Sequence, residues 1–131
     1  MTITTGPVHH VTLTVGDVAR SEEFYTSVLG FTRAATFGPR AILSNGQFLL
    51  ALTPPPDPTR AISGDRFDEN RIGLDHLSLT VGSRAELEAA KQALEQRGGP
   101  KLEIKDLAAF KLLVLAFRDP DNIQVELAAS Y

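Results

Sequence analysis

Two histidines occupy the same place in two copies of one short segment of the sequence. Residues 9–16 read HHVTLTVG and residues 75–82 read DHLSLTVG, and the two copies align His10 with His76. Each copy alternates apolar and polar residues, which is typical of a β-strand with one buried face, and its histidine falls on the more polar face. Two copies of one strand could therefore bring two imidazoles to one site.

A glutamate in the last predicted strand completes a candidate metal-binding set. Residues 123–127 read IQVEL, so Glu126 lies among apolar residues, where a lone carboxylate is costly to bury and a nearby cation removes that cost. Two imidazoles and one carboxylate hold a divalent metal at one face and leave other coordination positions open. The sequence therefore predicts a metal site made by His10, His76 and Glu126. An incidental histidine copied by duplication and a solvent-exposed strand glutamate are the alternative interpretations.

The elements that must position these residues are predicted twice, in the order β-α-β-β-β. In the first module, residues 7–53, a strand over residues 8–15 precedes a helix with Asp17 as its N-cap and Leu29 as its approximate end. Gly30 supplies the left-handed residue that stops this helix. Three short strands are predicted to follow, at residues 32–37, 41–44 and 48–53.

The second module, residues 73–129, repeats this plan. A strand over residues 75–81 precedes a helix that begins at the capping box formed by Ser83 and Glu86 and ends near Gln96. Three further strands are predicted at residues 101–104, 110–117 and 123–128. Two such modules in 131 residues predict an α+β chain built by duplication of one unit.

The segment between the modules, residues 54–72, has a different character. It opens with consecutive prolines at positions 54–56, which have no amide hydrogen to give to a sheet, and then becomes mostly polar. We interpret it as a connector between the two halves of a single domain that spans residues 1–131. A lid that covers a substrate is the alternative interpretation.

Composition and charge exclude several classes of partner. The net charge is -3 and the 13 basic residues form no run, so nothing favours binding to nucleic acid or to an anionic membrane. The sequence has no cysteine, which excludes disulfides, thiolate metal ligands and a cysteine nucleophile. It shows no secretory signal and no apolar run of the ~20 residues that cross a bilayer, so we expect a cytoplasmic protein.

Three stretches resemble the vicinal-oxygen-chelate superfamily of glyoxalase I, extradiol dioxygenases, and fosfomycin- and bleomycin-resistance proteins. They are HHVTLTVGDVARSEEFYTSVLGF at residues 9–31, GLDHLSLTV at residues 73–81 and FRDPDNIQVEL at residues 117–127. The resemblance implies that the sheets of the two modules curl into a half-open, barrel-like cavity. It also implies a homodimer and one divalent metal ion, Fe, Mn, Ni or Zn, held by residues of the first and last strands of each module. Those positions match His10, His76 and Glu126.

The fourth position of the family pattern carries an alanine in this sequence. Ala51 aligns with Glu126, and because alanine neither coordinates metal nor accepts a proton, a four-ligand glyoxalase I activity is disfavoured. The resemblance then implies a metal-dependent lyase, dioxygenase or transferase whose three-ligand site chelates neighbouring oxygens of a small-molecule substrate. Extradiol dioxygenases use a further histidine as acid or base, but His9, the remaining histidine, is predicted to turn away from the cavity. The alternative function is metal-free sequestration of a drug or metabolite, as in the bleomycin-resistance branch.

Several further residues are candidates to contact a substrate. Hydroxyl groups on the histidine-bearing strand faces could donate or accept hydrogen bonds, and apolar residues of neighbouring strands could line a pocket. Ordinary core and strand packing is the alternative for each of them. The predicted substrate contacts are Thr12, Leu49, Ser78, Leu113, Leu115 and Phe117.

Overall fold

The computed structural model describes residues 1–131, and the chain divides into two compact units, Met1–Asp65 and Arg66–Tyr131. Each unit contains one four-stranded sheet and one long helix in the order β-α-β-β-β. The predicted α+β class and the repeated module are therefore confirmed. No helix is both long enough and apolar enough to span a membrane.

In the first unit the first and last strands, β1 and β4, lie side by side in the sheet. The strand order is β1-β4-β3-β2, with β1 parallel to β4 and the other neighbours antiparallel. This order places the predicted ligand strand β1 directly beside β4. The elements are β1 (His10–Thr14), α1 (Val18–Leu29), β2 (Thr32–Phe37), β3 (Arg40–Ser44) and β4 (Leu49–Thr53), followed by a 3-10 turn (Pro58–Arg60).

Helix α1 covers one face of this sheet and has the predicted ends. The Asp17 side chain accepts a hydrogen bond from the Arg20 amide at the N-terminus, and Gly30 ends the helix with φ 73°. Tyr25 is fully buried on α1, against a sheet face that carries the equally buried Leu50 and Leu52. Because side chains alternate along a strand, residues 10, 12, 14 and 51 lie on the other face, which we call the helix-free face.

The second unit has the same arrangement, with strand order β5-β8-β7-β6 and β5 parallel to β8. The Ser83 side chain accepts from the Glu86 amide and so caps the helix as predicted. Leu87 on the helix is fully buried, as are Leu115 and Val125 on the sheet. The elements are β5 (Leu77–Thr80), α2 (Arg84–Gln96), β6 (Ile104–Leu107), a 3-10 turn (Ala108–Phe110), β7 (Leu112–Arg118) and β8 (Gln124–Ser130).

Strand β6 is displaced from its predicted position at residues 101–104. It runs over Ile104–Leu107 and pairs with β7. The Leu102 amide instead donates to the Glu95 carboxylate at the end of α2, at 2.8 Å, so that part of the chain is held by the helix and not by the sheet. This side-chain interaction is the physical reason for the difference.

The turn between β7 and β8 is held by a buried carboxylate. Asp119 accepts from the amides of Asp121 and Ile123 at 2.9 and 2.8 Å, and Asn122 adopts φ 67°, a left-handed conformation that asparagine tolerates in turns. The Asn122 side chain also donates to the Phe67 carbonyl, at 3.0 Å, and the Phe67 amide donates to the Asp121 carbonyl, at 2.9 Å. The end of the predicted connector is therefore fastened to a turn of the second unit.

Candidate metal-binding site

Glu126 lies between two small neighbours on the face of the second sheet that α2 does not cover, which is the helix-free face of this unit. It lies opposite Ser78 on β5 and opposite Ala116 on β7. The Ser78 hydroxyl donates a 2.9 Å hydrogen bond to Glu126 Oε1, which holds the carboxylate over β5. The Glu126 side chain is 18% exposed, so the carboxylate is largely withdrawn from solvent while one side of it stays accessible.

His76 precedes β5 and is held by a carboxylate on the side away from Glu126. Its Nδ1 lies 2.8 Å from Asp75 Oδ1, and its Nε2 lies 3.8 Å from Glu126 Oε1. The Gln124 side-chain amide donates to the same Asp75 oxygen at 3.0 Å. Asp75 therefore accepts two hydrogen bonds and fixes the direction in which the His76 ring points.

These contacts determine which nitrogen of His76 is available for chemistry. An ionised carboxylate can only accept hydrogen bonds, so the hydrogen between the two residues belongs to His76 Nδ1. In a neutral imidazole, Nε2 then carries a lone pair. In that neutral form the lone pair faces the Glu126 carboxylate, an arrangement that a cation would stabilise.

The residues of this pair fit a divalent metal ion. Bonds from a metal to imidazole nitrogen or carboxylate oxygen are about 2.0–2.2 Å long, so the 3.8 Å between His76 Nε2 and Glu126 Oε1 is short enough for one ion to contact both atoms. A ligand histidine whose other nitrogen donates to a carboxylate is also a common arrangement in metal sites. No group of three or more His, Asp or Glu side chains able to hold a metal ion occurs in the structure. His76 and Glu126 are the members of the predicted set that share a unit.

The third predicted ligand, His10, begins β1 in the first unit and lies opposite Leu49 of β4. Its Nδ1 is 2.8 Å from the Nδ1 of His9, and the two rings meet edge to face. One of these nitrogens must carry a hydrogen and the other must accept it. When the hydrogen is on His10, its Nε2 has a free lone pair, as in His76.

The position equivalent to Glu126 in the first unit is occupied by Ala51. Thr12 lies opposite Ala51 across β1 and β4, as Ser78 lies opposite Glu126 across β5 and β8. Ala51 is 5% exposed. The hydroxyl partner is therefore present in both units, whereas the carboxylate is present only in the second.

The predicted substrate contacts fall on two different faces. Thr12 and Leu49 share the helix-free face with His10, and Ser78 shares it with Glu126. In β7 the residue opposite Glu126 is Ala116, so its neighbours along the strand point the other way, where they are buried with α2. The residues that the structure places in the core instead of beside Glu126 are Leu113, Leu115 and Phe117.

A chain of hydrogen bonds continues from Asp75 to the connector. Gln124 accepts from the Arg118 guanidinium at 3.4 Å, and Arg118 binds both oxygens of Glu69 at 2.7 and 2.9 Å. The bond from Arg118 lowers the pKa of Glu69 from its ordinary 4.5 to about 2, and the same contact raises the pKa of Arg118. Sequence reasoning did not single out Asp75 or Gln124, although Asp75 precedes a predicted ligand directly.

Comparisons with known proteins agree with this fold. A family model described as the Glyoxalase/Bleomycin resistance protein/Dioxygenase superfamily matches residues 8–127. The uncharacterized protein YwkD of Bacillus subtilis (strain 168) is 30% identical in an alignment of 127 positions that covers 92% of this chain and 94% of the relative. A solved glyoxylase/bleomycin resistance protein/dioxygenase domain from Frankia sp. EAN1pec is 29% identical, with TM-score 0.78 over 98% of this chain and 94% of that chain. A lactoylglutathione lyase from Agrobacterium tumefaciens, 20% identical, shares the fold with TM-score 0.70 over 95% of this chain and 94% of that chain.

Proposed function

Because the chain belongs to the Glyoxalase/Bleomycin resistance protein/Dioxygenase superfamily, we propose that it is a divalent-metal-dependent enzyme acting on a small molecule with two neighbouring oxygens. The proposed metal ligands are His10, His76 and Glu126, and the proposed ion is Fe, Mn, Ni or Zn. The ion identity stays open because imidazole and carboxylate suit all four.

One observation carries this proposal. His76 Nε2 and Glu126 Oε1 face each other at 3.8 Å, while Nδ1 of the same ring is hydrogen-bonded to Asp75. Two electron-pair donors held in this way repel each other unless a cation or a proton lies between them. The repeat relates His10 to His76, and His10 is therefore the third ligand that we propose.

The chain's own residues would perform three tasks in this site. Asp75 holds the His76 ring so that Nε2 is directed toward the ion, and Ser78 holds the Glu126 carboxylate. His10, His76 and Glu126 would hold a divalent ion, which would supply Lewis-acid stabilisation of negative charge on two substrate oxygens. Thr12 carries a hydroxyl on the same face as His10, in position to hydrogen-bond a substrate oxygen.

Ala51 narrows the reaction class that we propose. The side chain opposite Thr12 can neither bind the ion nor take a proton, so the first unit has no carboxylate at the position equivalent to Glu126 to act as a base. We therefore favour lyase, dioxygenase or transferase reactions that need three protein ligands, and we disfavour the four-ligand glyoxalase I reaction. The acid or base in such a reaction would come from the substrate or from water.

Metal uptake tests the proposal. The purified protein is loaded separately with Fe(II), Mn(II), Ni(II) and Zn(II) under anaerobic conditions, and bound metal is quantified after gel filtration. We expect near-stoichiometric uptake of at least one ion, and loss of that uptake in His10→Ala, His76→Ala and Glu126→Gln. Glu103→Gln removes an exposed carboxylate of the same unit and should leave uptake unchanged.

The competing function is metal-free sequestration of a small molecule. Absence of uptake for all four ions, or unchanged uptake in His76→Ala, would exclude the metal-dependent enzyme and leave sequestration as the function to pursue.

We also propose a homodimer, which rests on the resemblance to the superfamily. Sedimentation velocity should then give a particle of twice the 14.2 kDa chain mass, and a particle of the single chain mass would contradict it.

A further inference from the structure

Arg40 lies on the helix-free face of the first sheet and has no carboxylate partner. It begins β3 next to Ala41, which pairs with Leu52, so its own neighbour across the sheet is Thr53. The Arg40 Nε donates to the Thr53 hydroxyl at 3.2 Å, and its guanidinium lies 5.7 Å from the centre of the Phe37 ring. These two contacts hold the guanidinium in place while its remaining N–H groups have no protein acceptor.

The internal repeat shows what the fold requires at this position. Register relates Ala51 to Glu126, and therefore Thr53 to Ala128 and Arg40 to Val114, the residue opposite Ala128. Val114 is 4% exposed, so the second unit fills this place with an apolar side chain. The fold itself needs neither a charge nor a hydroxyl here.

The first unit thus replaces an apolar pair with a guanidinium and a hydroxyl. A partly buried guanidinium without a counter-charge loses hydration on folding and regains little of it from neutral contacts. Arg33, an arginine in strand β2 of the same sheet, forms an ion pair with Glu22. Arg40 differs from it in offering a positioned, planar set of donors to an acceptor outside the chain.

We propose that Arg40, held in place by the Thr53 hydroxyl, binds an anionic oxygen group of the substrate, a carboxylate or a phosphate. This inference rests on the proposed function, because it concerns the same substrate: the metal would bind the two neighbouring oxygens at one end, and Arg40 would bind the anionic group at the other. Guanidinium groups bind both kinds of anion through paired N–H donors, and Phe37 keeps the plane of the group in place.

The register also sets the length of such a substrate. Thr53 lies opposite Thr14, and Thr14 is separated from His10 by four steps along β1, roughly 13 Å at about 3.3 Å per residue. A molecule with both oxygens and charge on a two-carbon skeleton is too short for this span. The expected substrate has a chelating end and an anionic end separated by a ring or a short chain.

Two probes that differ only in this charge test the inference. Dihydrocaffeate has neighbouring hydroxyls at one end and a carboxylate at the other, and its methyl ester lacks the charge. Binding of each is measured by calorimetry under anaerobic conditions, with the protein free of metal and loaded with Zn(II). Wild type should bind dihydrocaffeate at least about ten-fold more tightly than the ester, the gain typical of one charge-assisted hydrogen bond.

Matched variants identify the source of that preference. Arg40→Gln should bind both probes equally, and Arg40→Lys should retain part of the preference because it keeps the charge and loses the planar donors. Arg33→Gln removes the same charge from the opposite face of the same sheet and should keep the full preference. Thermal unfolding of each variant verifies that the fold is intact.

The outcomes separate this inference from the proposed function. Equal affinity of wild type for the two probes, including no detectable binding of either, would overturn the Arg40 inference, as would a preference that persists in Arg40→Gln or disappears in Arg33→Gln. A preference that depends on Arg40, with affinities for both probes that Zn(II) does not raise, supports the anion site and contradicts the metal-dependent function. An affinity that Zn(II) raises, without a preference for the acid, supports the metal-dependent function and contradicts the anion site.

Discussion

The Ser78 hydroxyl donates a 2.9 Å hydrogen bond to the Glu126 carboxylate across two parallel strands, β5 and β8. In the first unit Thr12 and Ala51 lie opposite each other in the same register, but the Thr12 hydroxyl has no carboxylate to hold. The two units therefore share one frame and differ in the residue that can bind a cation.

Removing the Ser78 hydroxyl should weaken metal binding. The Glu126 carboxylate loses the hydrogen bond that fixes its position. Loss of a group that hydrogen-bonds to a metal ligand typically lowers metal affinity about 10–100-fold. We expect this reduction in Ser78→Ala, measured by competition with a metal-sensitive dye. Ser130→Ala, an exposed serine of the same unit, is the control, and an equal loss in both variants would contradict the role of Ser78.

Asp75→Ala should act on the His76 ring itself. Without Asp75 the hydrogen on His76 is no longer held at Nδ1, so both neutral tautomers become populated and metal affinity falls about 10–100-fold. Ring nitrogen shifts in long-range proton–nitrogen spectra report the tautomer directly. A single Nδ1–H tautomer in the variant would exclude this role for Asp75. Asp106→Ala, which removes a carboxylate bound by Tyr131, serves as the control.

Ala51→Glu should restore the missing carboxylate of the repeat. At this buried position an unpaired carboxylate should lower the free energy of unfolding by about 1–3 kcal/mol without metal. Zn(II) should return more stability to this variant than it gives to wild type, because the added carboxylate gains a cation. The comparison is made by thermal unfolding with Ala51→Gln as the neutral variant of the same length. Equal stabilisation of both variants by Zn(II) would argue against a ligand position at residue 51.

Leu115→Ala distinguishes core packing from pocket lining. Leu115 is fully buried on the face opposite Glu126, so its truncation should lower the free energy of unfolding by about 2–5 kcal/mol. Metal affinity of the folded variant should stay unchanged. Urea denaturation measures the first quantity, and a loss below about 0.5 kcal/mol would place this side chain outside the core.

The ion pair between Glu69 and Arg118 should add stability that depends on pH. Arg118 lowers the pKa of Glu69 to about 2, below the 4.5 expected for an unfolded chain, so the folded state holds the ionised form more strongly. The contribution is fully present above about pH 4.5 and is lost as the pH falls toward about 2. The stability difference between wild type and Glu69→Gln should therefore shrink over this range. A difference that does not change with pH would contradict the pairing.

The repeat made much of the fold predictable. The copies HHVTLTVG and DHLSLTVG marked the first strand of each module, and the caps at Asp17 and Ser83 set the starts of both helices. The superfamily resemblance predicted from these motifs is confirmed by the family model over residues 8–127. Local signals sufficed here because alternation and capping depend on neighbours along the chain.

Other features depend on contacts that the sequence pattern does not encode. The shift of β6 follows from the bond between Glu95 and the Leu102 amide, and the face that Leu113, Leu115 and Phe117 occupy follows from the register of β7 against β8. A one-residue change in register moves every side chain to the other face, so apolar character alone did not decide between core and pocket. The predicted ligand set of His10, His76 and Glu126 stays a prediction.

Long-range proton–nitrogen spectra of the histidine rings during Zn(II) titration test directly whether His10, His76 and Glu126 form one metal site. We expect Nε2 of both His10 and His76 to move to the shift of a metal-bound nitrogen at one equivalent of Zn(II), while Nδ1 of His76 keeps its hydrogen. Both changes should disappear in Glu126→Gln at the same Zn(II) concentration. Unchanged Nε2 signals, or a response of His76 without His10, would contradict a site built from these three residues.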